Sequence, residues 1–126
     1  MPRTVLLIGT LDTKGREIAY LRDRLHALGL QTLILDSGIL NEPLDCVADI
    51  RREDVARAAG YELDALRTIG TRGAAVEHMV AGVERLAREL YETRRFDALI
   101  CLGGAEGAVL GAAAAKVLPI GVPKII

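Results

Sequence analysis

Two short runs dominated by leucine and β-branched side chains, Thr4 to Ile8 and Gln31 to Leu35, flank a segment whose apolar residues recur at helical spacing. A run without polar alternation reads as a strand buried on both faces. Between the runs, Ile18, Leu21, Leu25 and Leu28 form one stripe, Arg16, Glu17, Arg22, Asp23 and Arg24 fall off it, and Gly29 is placed to end the helix. Two buried strands joined by a helix form a βαβ unit with parallel strands and a right-handed crossover.

The rest of the chain repeats this alternation. A long amphipathic helix is predicted from Gly73 to about Thr93, a third strand over Phe96–Leu102, an almost wholly apolar helix over Ala108–Leu118 ended by Pro119, and the start of a fourth strand at Val122–Ile126. Gly111 and Ala112 to Ala115 would let the last helix lie close to the sheet. The expected fold is an α/β, three-layer, Rossmann-like doubly wound parallel sheet with strand order 2-1-3-4. A buried strand seldom ends a natural protein. Residues 1–126 are therefore expected to be one domain, the N-terminal fragment of a longer two-domain protein, with an open edge for its own C-terminal domain or a second copy.

Residues 37 to 72 fit this alternation less well. Asp49 is placed to cap a short helix ending near Gly60, and Tyr61–Thr68 reads as another helical turn or two. A connection of roughly 35 residues is long for a compact domain, which leaves two readings, a lid over a site or a packing excursion.

In the order 2-1-3-4, chain direction reverses between strands 1 and 3, and ligands bind at the carboxyl ends there. The turns GTLDTKG (Gly9 to Gly15) and LGGAEG (Leu102 to Gly107) would meet at that crevice as two halves of one site. Each offers backbone amides at a helix N-terminus, which favour an anion. Thr10 and Thr13 add hydroxyls, and Lys14 is the one cation inside either turn. Asp12 suits a magnesium ion, and Gly9, Gly38, Gly103, Gly104 and Gly107 allow close backbone approach. Asp36, at the end of strand 2, suits a ribose hydroxyl or an Asx turn with Gly38. Asp12 or Thr13 has the alternative role of an N-cap, and Gly103 and Gly104 that of a tight turn. Glu106 would repel a phosphate on its own helix, so either the phosphate sits mainly on the first turn, GTLDTKG, or a metal or an arginine intervenes. Neither turn follows the Walker A or G-x-G-x-x-G pattern.

Composition narrows the function classes. The net charge of -1 and scattered arginines lack the basic footprint of a nucleic-acid binder. No segment reaches the roughly 18 apolar residues of a membrane span, and the first apolar run is too short for a signal peptide. Cys46 and Cys101 fit no metal or redox spacing and read as reduced thiols, so a cytoplasmic location is expected. His26 and His78 lie on separate helices, Ser37 has no histidine partner, and no nucleophilic triad is in view. Arg51, Arg52, Arg67 and Arg72 lie in or beside the long connection and would reach a phosphate only if it folds over the crevice.

The segments GTLDTKGREIAYLRDRL, LDSGIL, DIRREDVARAAG, TRGAAVEHMVAG, LGGAEG and LPIGVPKII, in that order, resemble the N-terminal part of the family of the tomato mosaic virus resistance protein and its bacterial homologues. The resemblance implies a Rossmann-like ATP-binding domain followed by a second α/β domain. It also implies that Thr10, Asp12, Thr13, Lys14, Gly103, Gly104 and Gly107 line the nucleotide pocket. The resulting expectation is an adenine-nucleotide site for ATP with magnesium. Its rivals are the substrate-binding half of a small-molecule enzyme, and an oligomerisation module with a vestigial site.

Overall fold

The computed structural model describes residues 2–126. Its elements are β1 (Thr4–Gly9), α1 (Leu11–Ala27), β2 (Gln31–Asp36), α2 (Arg52–Ala58), α3 (Leu63–Arg67), α4 (Arg72–Glu92), β3 (Ala98–Leu102), α5 (Ala105–Val117) and β4 (Lys124–Ile125). The strands form one parallel sheet in the order β2-β1-β3-β4, as expected from the alternation of strands and helices.

Strand alternation divides the core into two faces. Val5, Leu7 and Ile34 pack with Leu11 and Ile18 of α1 on one side. Leu6, Ile8, Leu33 and Leu35 meet α2, α3, α4 and α5 on the other. The runs at 4–8 and 31–35 are continuous because both faces are covered. On β3 the alternation returns: Leu99 and Cys101 are buried under α5, whereas Ala98, Ile100 and Leu102 are half-buried beside α1. Close approach of α5 rests on Gly111, where a Cβ would come within 2.3 Å of Cys101 Sγ.

Three boundaries depart from expectation. Helix α5 begins at Ala105 rather than Ala108, so AEG is its first turn. Helix α4 begins at Arg72, with Thr71 as N-cap accepting the Ala74 amide at 3.1 Å. Asp49 caps no helix: its Oδ2 accepts the Ile34 amide at 2.8 Å, outside β2. The following Ile50 forms a parallel bridge with Leu35, and Asp54 accepts the Arg51 amide at the start of α2.

Candidate functional site

Gly9 and Leu102 are register partners at the carboxyl ends of β1 and β3, so the two glycine-rich turns rise side by side. A cavity of about 550 Å³ opens between them. Of the residues singled out from sequence, Thr10, Asp12, Thr13, Lys14, Gly38, Gly104, Glu106 and Gly107 line it. Gly9, Asp36 and Gly103 do not line it. At Gly9 a Cβ would come within 3.0 Å of Ile18, and at Gly103 within 2.6 Å of the Gly107 Cα, so these glycines serve close packing and a tight turn.

On the β3 side, Gly104 is the N-cap of α5 and supplies no side chain. The amides of Ala105, Glu106 and Gly107 have no acceptor among the described residues, as befits the first turn of an uncapped helix. Their dipoles attract an anion. Glu106 stands in that turn, and Arg72 meets it: Nε lies 3.0 Å from Oε1. Of the alternatives open for Glu106, an arginine is the one present here, as the first residue of α4.

The β1 side is more occupied. Thr10 Oγ1 and Thr13 Oγ1 are 2.6 Å apart, and Thr13 Oγ1 also donates to the Thr10 carbonyl at 3.2 Å. Neither threonine side chain nor Asp12 caps α1. That role falls to Asp36, whose Oδ1 accepts the Leu11 amide at 3.0 Å and the Gly38 amide at 2.8 Å, the latter closing the Asx turn. Burial pushes the Asp36 carboxyl above its ordinary value. The two amides and Arg52 oppose that rise, and Asp12 adds to it. Gly38 fits between the two acids, since a Cβ there would stand 2.9 Å from Asp12 Oδ1 and 3.1 Å from Asp36 Oδ1.

The long connection is both a wall of the cavity and a packing strap. Ile39, Leu40 and Asn41 line the cavity, held by Arg67, which donates to the Ile39 carbonyl at 2.7 Å, and by buried Arg52, which donates to the Asn41 carbonyl and to Glu42. Asp12 Oδ2 accepts the Asn41 amide at 3.2 Å. The strap then crosses to α1, where Leu44 N donates to the Leu11 carbonyl, Arg16 pairs with Asp45 at 2.8 Å, and Cys46 joins the core. Gly15 exists for this crossing, because a Cβ would fall 1.8 Å from the Leu44 carbonyl oxygen. Arg67 and Arg72 line the cavity, whereas Arg51 and Arg52 do not.

A wall of Ile39, Leu66, Val76 and Leu110 makes the cavity largely apolar on the helical side, with Lys14 as the cavity-lining cation that no carboxylate pairs among the described residues. That mixture suits a small ligand with one flat apolar end and one anionic end. A second depression of about 450 Å³ lies at the opposite rim, among Arg88, Tyr91, Arg94 and Asp97, where α4 and α5 end.

The N-terminal domain of the uncharacterised protein family UPF0261 matches residues 3–126. The chain belongs to that family. A UPF0261 protein of Clostridium tetani is 30% identical over 126 residues, which cover 100% of this chain and 31% of the relative. One of Brucella suis is 36% identical over 122 residues, covering 97% of this chain and 29% of the relative. One of Mesorhizobium japonicum is 32% identical over 124 residues, covering 98% and 30%. The chain thus spans just under a third of the length of these relatives. These matches correct the resemblance drawn from the motifs: the chain is a UPF0261 N-terminal domain, and its relatives carry that family's name rather than that of a tomato mosaic virus resistance protein.

The UPF0261 domain also holds a group that sequence reasoning set aside. Ser37 is 1% exposed, it lines the cavity, and its hydroxyl is buried without a hydrogen-bond partner among the described residues. A buried hydroxyl without a partner costs about 1–3 kcal/mol. The only signal in the sequence was its position, between a strand-ending aspartate and a glycine. No helix among the described residues is long and apolar enough to cross a membrane. Cys46 and Cys101 are both free and buried.

Proposed function

We propose that this domain binds an adenine nucleotide, ATP with magnesium, in the cavity between the β1 and β3 turns. The observation that carries the reading is the meeting of the uncapped N-terminus of α5 with Lys14 at one cavity. Free amides and a lysine receive phosphoryl oxygens, and the wall of Ile39, Leu66, Val76 and Leu110 gives a base an apolar face. Among the described residues no group of three or more His, Cys, Asp or Glu side chains could hold a metal. Magnesium would rest on Asp12 and the ligand's own phosphates, the usual arrangement for an ion held through one or two carboxylates. Bound magnesium would neutralise phosphate charge, while Arg72 holds Glu106 and lowers the repulsion that carboxylate exerts on the first turn of α5.

Isothermal titration calorimetry of ATP and magnesium tests the reading. Lys14→Ala is expected to weaken binding about tenfold, the scale of one charge-assisted hydrogen bond. No heat of binding by the wild type, or equal affinity in the variant, ends it.

The relatives' greater length favours a second reading, in which this domain holds a phosphorylated or carboxylate substrate while groups elsewhere in the full protein act on it. A thermal-shift screen in which an anionic metabolite outranks ATP would support that reading.

A further inference from the structure

The tip of β2 holds a buried polar atom that the fold does not use. Ser37 N donates to the Gly9 carbonyl at 3.0 Å, which locks its backbone to β1. Asp36 on one side is committed to the Leu11 and Gly38 amides, and Gly38 on the other is pressed between two carboxylates. None of these bonds needs a side chain at position 37, and alanine would fill the place without burying a hydroxyl. Yet the residue is serine, 1% exposed, on the wall of the cavity into which the bare amides of α5 also open. A native buried hydroxyl left without a partner calls for an explanation, and on the wall of a cavity a bound ligand supplies one.

We infer that Ser37 is a ligand-binding residue whose hydroxyl hydrogen-bonds an oxygen of the bound nucleotide. It takes the position at the tip of β2 that Asp36 gives up to helix capping. The oxygen is a ribose hydroxyl or a phosphoryl oxygen; both offer the same acceptor chemistry to a serine. The inference rests on the nucleotide reading, but its test separates the two.

The variant is Ser37→Ala, measured by calorimetry against ATP, 2′-deoxy-ATP, 3′-deoxy-ATP and tripolyphosphate, all with magnesium, and by thermal unfolding without ligand. ATP affinity is expected to fall about tenfold, while the ligand-free melting temperature holds or rises because an unpartnered hydroxyl has been removed. An equal loss against tripolyphosphate places the contact on a phosphoryl oxygen. A loss confined to ATP, and absent with one of the deoxy ligands, places it on the ribose. Unchanged affinity in a wild type that binds ATP overturns the inference and leaves the nucleotide reading standing. A lower ligand-free melting temperature, or a variant that does not fold, makes the hydroxyl structural and also overturns it. If the wild type binds tripolyphosphate but not ATP, and the variant binds it less well, the nucleotide reading falls and Ser37 stands. If neither ligand binds, both fall.

Discussion

The two helix N-termini that meet at the cavity have opposite histories. At α1 most polar groups already have partners within the chain: Asp36 takes the Leu11 amide, Thr10 and Thr13 pair with each other, Asp12 holds the Asn41 amide, and Gly15 seats Leu44. At α5 the amides of Ala105, Glu106 and Gly107 are unmet, Gly104 has open space around it, and the one charged side chain is engaged by Arg72. The first turn is built to anchor a strap, and the second is left bare. A polar, glycine-bounded loop is therefore not by itself a ligand loop; its groups have to be traced to their partners before any are assigned to a ligand.

The comparison breaks most readily at glycine. Gly15→Ala is expected to cost about 3 kcal/mol, because a Cβ would meet a backbone carbonyl oxygen that can move only with the whole strap. For a chain of this size that is a fall of roughly 12 °C in melting temperature. Gly104→Ala meets nothing within 4 Å and does not need a positive φ, so it should leave stability within about 0.5 kcal/mol. Equal losses in the two variants, by thermal or urea unfolding, would mean that the turns do not differ as described.

Asp36 supplies the next effect. Asp36→Ala removes the α1 cap and the Asx turn together and is expected to cost about 2 kcal/mol, with earlier proteolytic cleavage in residues 38–44. Asp36→Asn keeps an acceptor oxygen and changes the pH dependence instead. Because burial raises the carboxyl above 3.8, the folded chain keeps a proton that the unfolded chain has already released over the window between the two values. Its contribution is complete below the unfolded value and is lost as pH rises through the folded one. Wild-type stability should therefore decline relative to Asp36→Asn across that window, and level difference curves would show that burial does not govern this group.

The strand order was legible because both faces of β1 and β2 are covered, which writes itself as apolar runs. The meeting of the two turns followed from that order. What stayed hidden depended on contacts between distant segments. AEG looks like loop beside GG, yet Gly104 needs no side chain to start α5, and the helix begins three residues early. Asp49 has the look of a cap and instead pairs with the outer edge of β2. The need for glycine at position 15 is set by Leu44, which nothing local announces. The orphaned hydroxyl of Ser37 emerges only when every neighbouring donor and acceptor has been assigned.

The smallest expected effect falls on the bare turn and sharpens the contrast most. Glu106 places a negative charge among amides that otherwise favour anions, and its bridge to Arg72 is solvent-exposed, so the repulsion is reduced rather than removed. Glu106→Gln should raise affinity for ATP and magnesium about threefold, somewhat less than the ~1 kcal/mol typical of a charge in the first turn of a helix. The gain should shrink as salt is added. Calorimetry at low and high ionic strength reads both. Weaker binding by the variant would make Glu106 a contact rather than an obstacle, and the α5 turn would then resemble the α1 turn in holding its own polar partners.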